Sequence, residues 1–193
     1  IIFKDIESAS NFVIYHSGAG FTDTQDYMLL NSTNGKTDAG VNIWGSAFPT
    51  STVFGFTSGQ ICNTNIDCIA YCFAPSQFIS ISNYEGNGST DGSFVPTLNS
   101  LGVPIQPVWA MAISVDSTSN RVIYDNKRLG YNVENAQLWA NLTTAEATAD
   151  NLDIVTGGLK MRIATDPNVA ETYIYIAVGT PIIDTDGRII AGR

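Results

Sequence analysis

The segment Ser8-Ala9-Ser10-Asn11-Phe12-Val13-Ile14-Tyr15-His16 returns 109 residues later as Ser117-Thr118-Ser119-Asn120-Arg121-Val122-Ile123-Tyr124-Asp125. A second pair follows in the same order at an offset of 110, where Met28-Leu29-Leu30-Asn31-Ser32-Thr33 matches Leu138-Trp139-Ala140-Asn141-Leu142-Thr143. A third sets Val53-Phe54-Gly55-Phe56, then Cys68 to Ala74, beside Leu159-Lys160-Met161-Arg162, then Tyr173 to Val178. Three matches in one order mean that a single structural unit is specified twice, which restricts the fold more than any local propensity.

Each copy consists of short runs rich in Val, Ile, Tyr, Phe and Thr, separated by clusters of Asn, Gly, Asp and Ser. That pattern specifies strands and turns of a sandwich or barrel. The expected fold is all-β, two tandem related sandwich units of jelly-roll or lectin-like type. The boundaries read as 1–77 for a first unit lacking its opening strands, 78–180 for a second complete unit, and 181–193 for a C-terminal hairpin or inter-repeat connection. In that last piece Asp186-Gly187 offers the positive φ of a tight turn between Ile182-Ile183 and Ile189-Ile190. Only Thr144 to Leu152 competes as helix, enough for one or two turns. Because the chain opens at Ile1 directly in a strand-like run, it reads as a processed chain or an excerpt of a longer one.

Charged residues make up 14% of the 193 positions, against roughly 25% in ordinary soluble domains. Hydroxyls and amides take their place, as suits extracellular and virion β-proteins with many exposed turns. The net charge is −9, with nine Lys and Arg scattered along the chain, so the clustered cations that nucleic-acid binding needs are missing. No window is apolar for long enough to span a bilayer as a helix.

The chemistry-bearing residues are few. The sole histidine, His16, faces Asp125 across the repeat, a replacement that fits a turn or surface group better than a catalytic base, and no Gly-x-Ser-x-Gly elbow is present. No pair among the eighteen acids is marked by context as a glycosidase couple. Asp184-Thr185-Asp186-Gly187 resembles the start of a calcium loop whose remaining ligands are missing, leaving Asp184 and Asp186 as weak metal candidates beside the plainer reading of a β-turn. The turn Asn87 to Asp91 has the same two readings. No cofactor is expected. Cys62, Cys68 and Cys72 make a poor zinc set with one histidine; Cys62 with Cys68 could close a hairpin, while buried free thiols are the preferred reading. Asn31, Asn87 and Asn141 each begin an Asn-x-Ser/Thr sequon, read here as turn residues bonding local backbone. Trp109 and Trp139 sit among apolar strand residues and read as core. That leaves Trp44, between Asn42 and Gly45, as the weak candidate for an exposed sugar-stacking ring.

Several passages carry a family resemblance: Tyr84-Glu85-Gly86-Asn87-Gly88-Ser89-Thr90-Asp91-Gly92-Ser93-Phe94-Val95, Pro107-Val108-Trp109-Ala110-Met111, Ser117 to Tyr124, Trp139 to Thr148, and Tyr173-Ile174-Tyr175. With these the chain resembles a repeated β-sandwich domain of bacteriophage tail and fibre-like virion proteins, often from marine phages. The resemblance implies a structural, non-enzymatic protein of a tail, tail fibre or surface decoration, located in the virion and extracellular, whose partners are copies of itself and other virion proteins. The alternative is a host-attachment module that binds a cell-surface glycan; a polysaccharide-degrading enzyme ranks below both.

Overall fold

The computed structural model describes residues 1–57, 61–62, 66–128, 132, 136–148 and 150–183, and among them the chain is all-β, with no helix. Strands β1 (Ile2–Asp5), β2 (Val13–Ile14), β3 (Asp26–Leu29), β4 (Thr37–Asp38) and β5 (Cys68–Tyr71) form one antiparallel sheet in the order β4-β3-β2-β1-β5. Strands β6 (Ile79–Glu85), β7 (Phe94–Pro96), β8 (Ile105–Ser114), β9 (Val122–Asp125), β10 (Ala136–Trp139), β11 (Ala147–Thr148), β12 (Leu152–Val155), β13 (Gly158–Met161) and β14 (Thr172–Pro181) follow. They build a six-stranded sheet, β11-β10-β9-β8-β14-β6, and a three-stranded sheet, β12-β13-β7.

The period of two along each strand decides how these sheets stack. In β14, Tyr173, Tyr175 and Ala177 point to one face, where they meet Leu152, Ile154, Leu159 and Met161 of the three-stranded sheet. The alternate residues Ile174 and Ile176 point to the other face and meet Ile2, Ile14 and Met28 of the first sheet. The six-stranded sheet is therefore covered on both sides, and β8 and β14 are buried nearly end to end. Phe3 and Val13, of opposite parity to Ile2 and Ile14, face away from it into a third cluster with Ile43, Trp44, Ile61 and Cys62. The layers run from the 43–57 loop through the first sheet and the six-stranded sheet to the three-stranded sheet, a sandwich-like stack. Each fully buried Ile, Leu or Met contributes roughly 1.5–3 kcal/mol relative to leaving it in water.

The pairings of the first sheet recur in the second. Ile2 pairs with Ile14 and Phe3 with Val13; Met111 pairs with Ile123 and Ala112 with Val122. Val13 pairs with Leu29 as Val122 does with Trp139, and Asp26 pairs with Asp38 as Ala136 does with Thr148. Ile2 faces Tyr71 as Met111 faces Ile176, and Asp5 faces Cys68 as Ser114 faces Tyr173. The asparagine turns agree too. Asn31 Oδ1 accepts the Phe12 N–H at 3.0 Å while its Nδ2 donates to Asn11 Oδ1, and Asn141 does the same with Arg121 N–H at 2.9 Å and Asn120 Oδ1.

Three expectations need correction. The described residues of Thr144 to Leu152 hold no helix: Ala147 pairs with Gln137 in β11, and Leu152 opens β12 because its side chain and that of Ile154 fill the core. Val53 to Phe56 belongs to no strand, although the first three residues of its sequence match, Leu159-Lys160-Met161-Arg162, lie in β13; Phe54 and Phe56 instead lay their rings against Phe3 on the sheet face. Cys62 and Cys68, with Cα atoms 6.3 Å apart, are joined in a disulfide, a separation within the range such bridges need, and Cys72 is the free, exposed thiol.

The two sheets are also held by polar contacts. Arg121, fully buried just before β9, donates Nε to Leu29 O at 3.0 Å and its terminal nitrogens to Thr33 O, Asn34 O and Ser119 O. Nearby, Lys36 N–H donates to Val115 O at 2.6 Å and Ser119 N–H to Thr33 O. Gly35 makes this approach possible, since a Cβ there would lie 2.5 Å from Val115 O.

Candidate functional site

The four residues of β5, Cys-Ile-Ala-Tyr, pair with β1 on one side; among the described residues nothing pairs with the other side. The remaining outer strands are defended by means that natural sheets commonly use. β4 and β11 are two residues long, β7 is three and ends in Pro96, and β6 and β12 carry Glu85 and Asp153. β5 carries neither charge nor proline. Its alternate side chains Ile69 and Tyr71, and Phe73 just beyond, are 39%, 48% and 46% exposed. The register-equivalent Ile174 is 2% exposed: it packs into the cluster with Ile14 and Met28, and β6 pairs along that side of β14 from Thr172 to Val178.

Beside this edge, between the two sheets, lies an apolar cavity of about 140 Å³ lined by Ile2, Ile14, Phe73, Ile81, Ile174 and Ile176, with His16 on its wall. His16 Nδ1 accepts the Gly18 N–H at 3.0 Å, and its Nε2 lies 3.4 Å from Tyr175 O, where it donates as the neutral Nε2–H tautomer. Burial is the main cause that pulls its pKa down to about 4. The folded value lies below the unfolded one, so protonation favours the unfolded chain; stability from this group is complete above about pH 6.5 and is lost as the pH falls towards 4. Urea unfolding at pH 7 and pH 4.5 is expected to differ by about 2 kcal/mol through this residue, after discounting for its partial exposure. In His16→Gln that difference should shrink; an unchanged acid slope rules the histidine out as its source.

The residues singled out from the sequence fall elsewhere. Trp44 is fully buried, not exposed: its indole N–H donates to Asp26 O at 2.9 Å and Tyr15 packs edge-on to the ring, so no face is open to a sugar. The loop that carries it caps the first sheet, and the apolar ring goes to the sheet side. Asp184 and Asp186 lie outside the described residues. In the Asn87 to Asp91 turn, Asn87 Nδ2 donates to Asp91 O and the Asp91 carboxylate pairs with Lys160 at 2.7 Å. Among the described residues no group of three His, Cys, Asp or Glu is placed to hold a metal ion. Trp109 and Trp139 pack against the cores on the two faces of the six-stranded sheet.

An all-β, sandwich-like protein with, among the described residues, one undefended sheet edge is the class these features define. The chain belongs to the family described as Domain of unknown function DUF7483, whose match spans residues 1–180. No curated protein and no solved structure matches it.

Proposed function

We propose that the chain is a structural, non-catalytic module made of two tandem copies of one β-sandwich unit, and that it assembles with itself and with other proteins of a bacteriophage virion as part of a tail, tail fibre or surface decoration. The observation that carries this reading is the recurrence of the first sheet's strand order and residue register in the second. A unit repeated within one chain suits architectures extended by repetition, where each unit is stabilised by contact with its neighbours. The acidic, charge-poor, hydroxyl-rich surface suits an extracellular particle, and the passages that resemble phage tail domains supply the setting. The glycan-binding alternative has lost its best-placed aromatic with the burial of Trp44.

The test is to separate producing cultures on a density gradient and follow the chain by peptide mass, then measure its native mass after release. The chain is expected to travel with particles at fixed stoichiometry and to come off in a multiple of its own mass. Recovery only as free monomer in particle-free fractions overturns the proposal.

A further inference from the structure

We infer that the free edge of β5 is a docking site for an added antiparallel strand with the chemistry of β6, donated by another copy of this unit. The argument comes from within the molecule. In the six-stranded sheet the strand equivalent to β5 is β14, and β6 is its outer neighbour. There Ile81 lies opposite Ile176 and Ile79 opposite Val178. The register Ile2–Tyr71 against Met111–Ile176 makes Tyr71 the counterpart of Ile176, and two residues on, Phe73 the counterpart of Val178. An incoming strand of the β6 pattern thus sets isoleucines beside Tyr71 and Phe73, the half-exposed residues left uncovered on this edge. Its main chain would meet the unpaired N–H and C=O groups of β5, the mode in which backbone bonds give affinity and alternate side chains give specificity. The cavity beside the edge already receives Ile81 from the second sheet and Phe73 from the first, so the added strand extends an existing apolar contact.

The source of the strand rests on the assembly reading above; the edge itself rests on the register alone. The probe is a labelled peptide of residues 78–85, Phe-Ile-Ser-Ile-Ser-Asn-Tyr-Glu, added to the whole protein and followed by fluorescence anisotropy and by hydrogen exchange. Binding is expected, with slowed exchange across Cys68 to Phe73. It should weaken by about tenfold or more with the doubly substituted protein Tyr71→Lys, Phe73→Lys, whose exposed positions tolerate lysine, and with a peptide carrying Ser82→Pro, which lacks a ladder N–H. No binding, or protection confined to residues 173–178 through exchange with β6, overturns the inference. Capture by a protein absent from particles keeps the edge and removes the assembly reading; a particle-borne protein whose β5 ignores the peptide does the reverse.

Discussion

Arg121→Met is expected to lower the unfolding free energy by about 3–5 kcal/mol, because it leaves several buried carbonyl oxygens without their donor at roughly 1–3 kcal/mol each. The guanidinium is 0% exposed, and four carbonyl oxygens belonging to Leu29, Thr33, Asn34 and Ser119 receive its protons. Burial lowers its pKa only to about 10, so it stays charged at neutral pH. Three of the four acceptors lie in the first sheet and its loop while the arginine immediately precedes β9 of the second, so the loss falls on the junction between sheets. Methionine fills much of the volume but leaves Leu29 O and Asn34 O without this donor. Arg121→Lys should recover little, because an ammonium has three donors and cannot span the same planar fork. Urea unfolding measures the total. Hydrogen exchange gives its location, with β2 and β3 expected to lose protection before β8 and β14. A loss under about 1 kcal/mol would mean that these bonds merely replace hydration of the same groups.

How far this arrangement was legible in the sequence depends on whether a signal was local. The Asn-x-Ser/Thr turns and the strands before them could be aligned by eye, and Asn31 and Asn141 make matching side-chain bonds because a turn is decided by a few neighbours. Yet the same alignment set Phe12 against Arg121 with no sign that one packs beneath Lys4 while the other is sealed between sheets. Trp44 shows the same limit. Asn42 and Gly45 correctly marked a loop, but loop polarity does not say which way a ring points when the loop itself forms a layer. The alternating aromatics of Phe54 and Phe56 looked like a strand and cover one instead. The site was the least legible part: an edge is defined by which segment pairs with it, and nothing in Cys-Ile-Ala-Tyr differs in kind from the covered Tyr-Ile-Tyr-Ile of β14. The disulfide was open for a related reason, since the approach of Cys62 to Cys68 depends on how β5 meets β1.

Asn168→Asp is expected to cost about 4 kcal/mol at neutral pH, more than the 2–3 kcal/mol or so expected for Asn168→Leu, because it turns a donor into a buried charge facing acceptors. Asn168 is 0% exposed, and its Nδ2 donates to Asn87 Oδ1, Ser89 O and Ile163 O at 2.8, 2.9 and 2.8 Å. Its Oδ1 accepts the N–H groups of Asn87 and Ser93, and Gly88 N–H donates to its main-chain carbonyl. The whole Gly86 to Gly92 turn is thereby pinned to the 163–168 segment, at a separation so small that a Cβ on Gly86 would sit 1.9 Å from Val169 O. A carboxylate keeps the two acceptor bonds and sets its negative oxygen against three others. Leucine has similar volume and removes the repulsion, but strands the same N–H and C=O groups. The aspartate's excess cost should therefore fall on acidification, as the protonated carboxyl regains one donor, whereas the leucine's should not follow pH in this way. Thermal unfolding of both variants between pH 7 and pH 4.5, each referred to the parent at the same pH, measures the difference. Equal losses at every pH would show that the turn is held by its backbone bonds and glycines, with the Asn168 side chain only filling space.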